Sequence, residues 1–164
     1  MTPTLLLPWR TCARVTAHLV GQLPDELWEA RVPGVPRKTV RSLVAHLHDS
    51  RCRWLKQVGT LVGVAAPTRI GRARVAREEL LEALAESERA MMDMFAVLLD
   101  RGGVLPDFPW RNVPTDLEHF IAYHVSHEAH HRGQIVLVAR QLGQRLPAAA
   151  TDGLWQWRRV ADEA

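Results

Sequence analysis

The sequence predicts an all-α fold, a four-helix bundle forming a single domain over residues 1–164, and three observations carry that prediction. Apolar residues recur at helical spacing in four long stretches, the proline and glycine clusters fall between those stretches, and no alternating apolar and polar run of convincing length competes as a strand. A chain of 164 residues can bury a core without staples, and 47% apolar with 24% charged residues is a globular composition. No internal repeat is visible.

The first helix is expected from about Pro8 to Leu23, with Leu5, Trp9, Val15, Leu19 and Leu23 toward the core, and Pro24 ends it. After a connector holding Pro33, Gly34 and Pro36, the second runs to Gly59 on a stripe of Val40, Leu43, Val44, Leu47, Trp54, Leu55 and Val58. Residues 59 to 75 lack periodicity and contain Gly63, Pro67 and Gly71, which reads as a long loop. The third helix is expected from about Ala76 to Asp100, with Leu80, Leu81, Leu84, Met91, Met94, Phe95, Leu98 and Leu99 as its apolar face and Gly102-Gly103 as its stop. A proline-rich loop then leads to Thr115-Asp116-Leu117-Glu118, a capping-box pattern that starts the fourth helix at Thr115. That helix continues to about Leu142, where Gly143 stops it. The tail beyond Pro147 is expected to pack as a short helix or lid, with Trp155 and Trp157 as a hydrophobic plug over one bundle end.

Charge and cysteine content narrow the function. The net charge is +3 and the pI is near 9.4, but the arginines are dispersed from Arg10 to Arg159 among acidic residues. The densest group, Arg69, Arg72, Arg74 and Arg77, sits in the long loop and reads as solvated surface, which argues against a nucleic-acid partner. Cys12 and Cys52 are too few for a disulfide framework and are expected to be small buried or half-buried residues. Neither a signal-peptide pattern nor an apolar run long enough to span a bilayer is present, so a cytoplasmic protein without membrane contact is expected.

Histidine is the exception to an ordinary composition. Of eight, His119, His124, His127, His130 and His131 fall within one short stretch of the fourth helix. A helical wheel puts Phe120, His124, His127, His131, Ile135, Val138 and Leu142 on one face, so three imidazoles interrupt an apolar stripe. His130 lies to the flank, and His119 points to the surface. A single histidine on such a face is ordinarily a satisfied core residue. Two at i and i+4 can reach one ion, and burying them without a partner would cost desolvation and mutual repulsion. His127-Glu128-Ala129-His130-His131 also matches the H-E-x-x-H zinc-peptidase signature, but no histidine follows His131 to complete that site. The third ligand must therefore come from upstream. The second helix offers His46 and His48 on opposite shoulders of its stripe, and the pattern alone does not choose between them.

A histidine eight residues before Trp54 in AHLHDSRCRWL, combined with HVSHEAHHRGQIVLVARQLG in the fourth helix, resembles the DinB-like (YfiT-like) superfamily of four-helix-bundle metalloproteins. The resemblance spans nearly the whole chain, and the H-x-x-x-H-R-G-Q run is its most specific part. It implies an up-down-down-up bundle, commonly a homodimer, with one divalent metal held by His46, His127 and His131 and solvent completing the coordination. Its implied activities are thiol-dependent transfer or isomerisation with low-molecular-weight thiols such as bacillithiol or mycothiol, or metal-dependent hydrolysis. Arg51 departs from the pattern, since many relatives carry an acidic residue five positions after the helix-two histidine.

These readings converge on a divalent-metal-dependent enzyme with an open coordination position, a thiol-dependent S-transferase or a hydrolase of a small molecule. Three imidazoles suit Zn, Ni or Fe. Glu128 and His124 are the candidate catalytic proton carriers, although an exposed helix glutamate is the plainer reading of Glu128. Arg132 could hold an anionic substrate group or form a surface ion pair. The competing function is a non-enzymatic metal-binding or stress-responsive module, which would hold the ion without turning over a substrate.

Overall fold

Each apolar stretch folds as a helix because it offers one face to bury and, at its start, groups that satisfy its free N–H donors. In the computed structural model, which describes residues 2–110 and 112–162, the last three by backbone alone, the helices are α1 (Leu7–Gly21), α2 (Asp25–Trp28), α3 (Val40–Gln57), α4 (Arg77–Asp100), α5 (Leu117–Gln141), α6 (Ala148–Gly153) and α7 (Trp157–Asp162). The extreme ends of the expected 1–164 domain lie outside the described residues. Pro8 sits in the first turn of α1, where its missing N–H costs nothing. A reciprocal box starts α3: the Thr39 hydroxyl accepts from the Ser42 amide, and the Ser42 hydroxyl accepts from the Thr39 amide at 2.9 Å.

α1, α3, α4 and α5 form the bundle, with α1 and α3 each packed against α4 and α5 and so diagonal to one another. Two apolar clusters reveal their directions. One gathers Trp9 near the start of α1, Trp54 and Leu55 late in α3, Phe95 and Leu98 late in α4, and Phe120 early in α5. The other gathers Leu19 late in α1, Val40 and Leu43 early in α3, Leu80 and Leu84 early in α4, and Ile135 and Val138 late in α5. The order is therefore up-down-down-up, as the family resemblance implies. Because α3 and α4 run parallel, residues 58–76 must travel back along the bundle, which explains the long loop between them.

Between the apolar clusters lies a polar layer of Cys12, Thr16, Arg51, Ser87, Glu128 and Arg132, all buried. A bundle core interrupted in this way must satisfy its polar atoms internally.

Some local expectations are corrected. The cap of α5 is Asp116, one residue later than the capping-box reading: its carboxylate accepts from the His119 amide at 3.0 Å, while the Thr115 carbonyl accepts from the Leu105 amide at 2.9 Å. The connector after α1 contains the unpredicted turn α2, and the long loop opens with a 3-10 turn at Gly59–Val62. Leu142, expected on the apolar face, is the residue that caps α5 and is exposed, whereas Val138 and Ala139 in the last turn are buried. The tail does form short helices on α1, but its tryptophans are no plug. Trp155 is 83% exposed and Trp157 is exposed too, while Ala150 and Leu154 make the apolar contact with the core.

Candidate metal centre

His127 and His131 stand one turn apart on α5, and His46 meets them from the first half of α3, with ring centroids 5.6 and 4.8 Å away. Each ring offers a nitrogen, and the three lie within 4.8 Å of one another. The Nε2 atoms of His127 and His131 are 3.2 Å apart. Two nitrogens bound tetrahedrally to one zinc at about 2.05 Å would stand about 3.3 Å apart, so this pair already has the spacing a shared ion requires.

The protonation states fit as well. Burial, reinforced by the neighbouring His131, Arg72 and His127, lowers the His46 pKa to about 4. Burial likewise lowers His127, with the charge of His131 adding to it, and lowers His131 despite the opposing hydrogen bond to Gln134. All three are neutral near pH 7, the form in which imidazole binds a metal. Gln134 fixes the tautomer of His131: its Oε1 accepts from Nδ1 at 2.8 Å, which leaves Nε2 free to face His127 and His46. The other end of the same amide donates to His130 Nε2 at 2.9 Å. Gln134 was missed by the residue-by-residue reading, though its i+3 position from His131 was a usable signal.

The remaining histidines have separate places. His48 is fully buried but turned away from the cluster, with its Nε2 donating to the Thr68 carbonyl at 2.9 Å and standing 3.3 Å from Cys52 Sγ. The two shoulders of α3 thus face different partners, and it is His46 that meets the α5 pair. His119 is exposed against Asp116 and His130 is exposed on the flank.

Glu128 and His124 both face the bundle interior. Glu128 is buried, not the exposed helix glutamate of the plainer reading. Its Oε1 accepts from Arg51 Nε at 2.9 Å, with Nη2 in ion-pair contact 2.8 Å away, and its Oε2 accepts from the Thr16 hydroxyl. With both oxygens engaged, its carboxylate is not a free base in this arrangement. His124 is enclosed by Trp9, Trp54, Phe95, Phe120 and Tyr123, with centroids between 4.6 and 5.9 Å. Its Nε2 has no hydrogen-bond partner, and burial drives its pKa down to about 3.

Arg132 is neither a surface ion pair nor a cleft residue. It is buried and its Nη1 donates to Thr16 Oγ1 at 2.8 Å and to the Cys12 carbonyl at 3.3 Å. Arg51, the departure from the family pattern, is matched across the core by Glu128, bonds the Leu84 carbonyl at 2.9 Å and lies 5.0 Å over the Trp9 ring. Both cysteines are buried, as expected; burial raises Cys12 and takes Cys52 to about 11, so neither is a ready thiolate.

The cluster is not sealed. His46 and His131 line a cleft of about 450 Å³ whose other walls come from the turn before α3, the start of that helix and the long loop. An ion held there would keep a face toward the cleft.

A family model described as DinB family matches residues 1–159. No curated protein and no solved structure matches the chain. Among the described residues no helix is long and apolar enough to cross a membrane.

Proposed function

The chain belongs to the DinB family, and from that membership we propose that it is a divalent-metal-dependent enzyme, a thiol-dependent S-transferase or a hydrolase, in which His46, His127 and His131 hold the ion. The observation that carries the reading is the convergence of three neutral imidazoles, with nitrogens within 4.8 Å of one another, two of which, His46 and His131, line a cleft open to small molecules. That opening favours an enzyme over a storage module, which would gain nothing from an accessible ion. When bound, a divalent ion such as Zn, Ni or Fe acts as a Lewis acid that ionises a water or thiol near neutral pH.

The chain's own contribution is positional. His127 and His131 are set by the pitch of α5, His46 is brought by the packing of α3 on α5, and Gln134 keeps the His131 proton on Nδ1. Glu128, held by Arg51 and Thr16, anchors the ligand-bearing segment of α5 to α3 and α1. His124 and the aromatic rings around it wall the ligands off from the core side. We assign both residues to positioning in place of proton transfer. The reading also carries a cytoplasmic location and a homodimer, which come from the sequence and the resemblance.

The test is elemental analysis of untagged protein, followed by a screen for thiol transfer and hydrolysis with and without added metal. Activity that depends on metal, and on a thiol for the transferase, supports the reading. Stoichiometric metal without activity in either screen would favour a binding module.

A further inference from the structure

The cleft beside the histidines has a chemistry of its own. Its charged walls are Arg37, Lys38 and Arg72, and among the described residues no carboxylate lines it. Among the described residues Arg37 and Lys38 are exposed and make no ion pair. Arg72 shares the single carboxylate of Asp49 with Arg69, so two guanidinium groups face one anion and a positive charge is left over. The neighbouring Ser42 hydroxyl is engaged, accepting from the Thr39 amide and donating to the Thr39 carbonyl at 2.8 Å. Positive charge is therefore the main polar feature these walls present to a ligand.

We propose that this cleft takes an oxyanion-bearing small molecule, whose carboxylate or phosphate group is held by Arg37, Lys38 and Arg72 while its reacting end reaches His46 and His131. The inference rests on the metal-enzyme reading for the role of the histidines, but the anion preference is a property of the three cations. The backbone under Arg37 and Lys38 and the side chain of Arg72 are held in place. The Lys38 amide donates to the Val35 carbonyl and its carbonyl accepts from the Val32 amide, both at 2.9 Å, while Arg31 and Thr39 pair as an antiparallel bridge. This tight turn fixes the backbone that carries Arg37 and Lys38. Asp49 fixes Arg72 from the opposite wall. A volume of about 450 Å³ suits a small molecule. The dispersed arginines of the sequence thus acquire, in three dimensions, one local focus.

Calorimetric titration of the protein as purified, with succinate, inorganic phosphate and neutral succinamide at low salt, tests this, with metal content measured on the same sample. Succinate or phosphate should bind at least about tenfold more tightly than succinamide, and whichever oxyanion binds better identifies the carboxylate or the phosphate class. Removing a cation should weaken the preferred oxyanion by up to about fivefold, so the Arg37→Ala/Lys38→Ala variant should lose most of the preference at unchanged metal content. Equal binding of the oxyanions and succinamide would overturn the proposal, as would a preference that survives in that variant. The His127→Ala/His131→Ala variant separates the two readings: if metal proves absent or irrelevant, anion preference persisting there upholds the cleft proposal while the metal reading fails.

Discussion

The Nε2 atoms of His127 and His131 face each other across 3.2 Å, one turn of α5 apart, with His46 completing the group from α3. Two neutral imidazoles at that distance either share one proton or share an ion. Purified protein is expected to hold about one divalent ion per chain, and the His127→Ala/His131→Ala variant to hold almost none while its far-ultraviolet circular dichroism stays helical. Full metal content in that double variant would remove the assignment.

Gln134 accepts from His131 Nδ1 and so determines which nitrogen faces the cluster. Gln134→Ala should weaken metal affinity about 10- to 100-fold, whereas Gln134→Glu, which keeps an acceptor, should retain it. Competition against a chromogenic chelator measures both. Equal affinity in the wild type and the alanine variant would mean that the amide does not orient the ring.

Arg51 and Glu128 form an ion pair with both side chains only 2% exposed. Glu128→Ala leaves a buried guanidinium without its anion and should cost about 3–5 kcal/mol of stability, measured by urea unfolding. Arg51→Met/Glu128→Leu should cost less than either single change, because no charge is stranded. A Glu128→Ala protein with unaltered stability but lost activity would instead restore the residue to proton transfer.

Burial alone would raise the Asp49 pKa, but hydrogen bonds and charge from Arg72 and Arg69 outweigh it and hold the carboxyl below its usual range. Its folded pKa is therefore lower than its unfolded value of about 3.9, so its contribution is full above that value and lost as pH falls through the folded one. The stability gap between wild type and Asp49→Asn should be constant near neutrality and shrink in acid below about pH 4. Acid unfolding curves of the two proteins measure it; parallel curves down to pH 2 would show that these ion pairs contribute nothing to folding.

The long helices were legible because helical periodicity is local: the stripe Val40, Leu43, Val44, Leu47, Trp54, Leu55 and Val58 is buried in full. The His127 and His131 pair was legible for the same reason, since i and i+4 always share a helix face. The cap of α5 was misplaced by one residue because Thr115 and Asp116 are both good caps, and the choice was made by the Leu105 amide pairing with the Thr115 carbonyl.

Sequence by itself determined the bundle class, its helices and the paired histidines of α5, all of which follow from residue spacing within one segment. Tertiary structure alone decided what depends on which faces meet. It set His46 against α5 and His48 against Thr68, turned Glu128 inward onto Arg51, drew Arg132 under α1, and left Trp155 outside. The physical reason is that a buried charge is stable only beside its partner, and the partners here lie up to 120 residues apart in the chain. No local pattern records such a pairing until α1, α3 and α5 pack together.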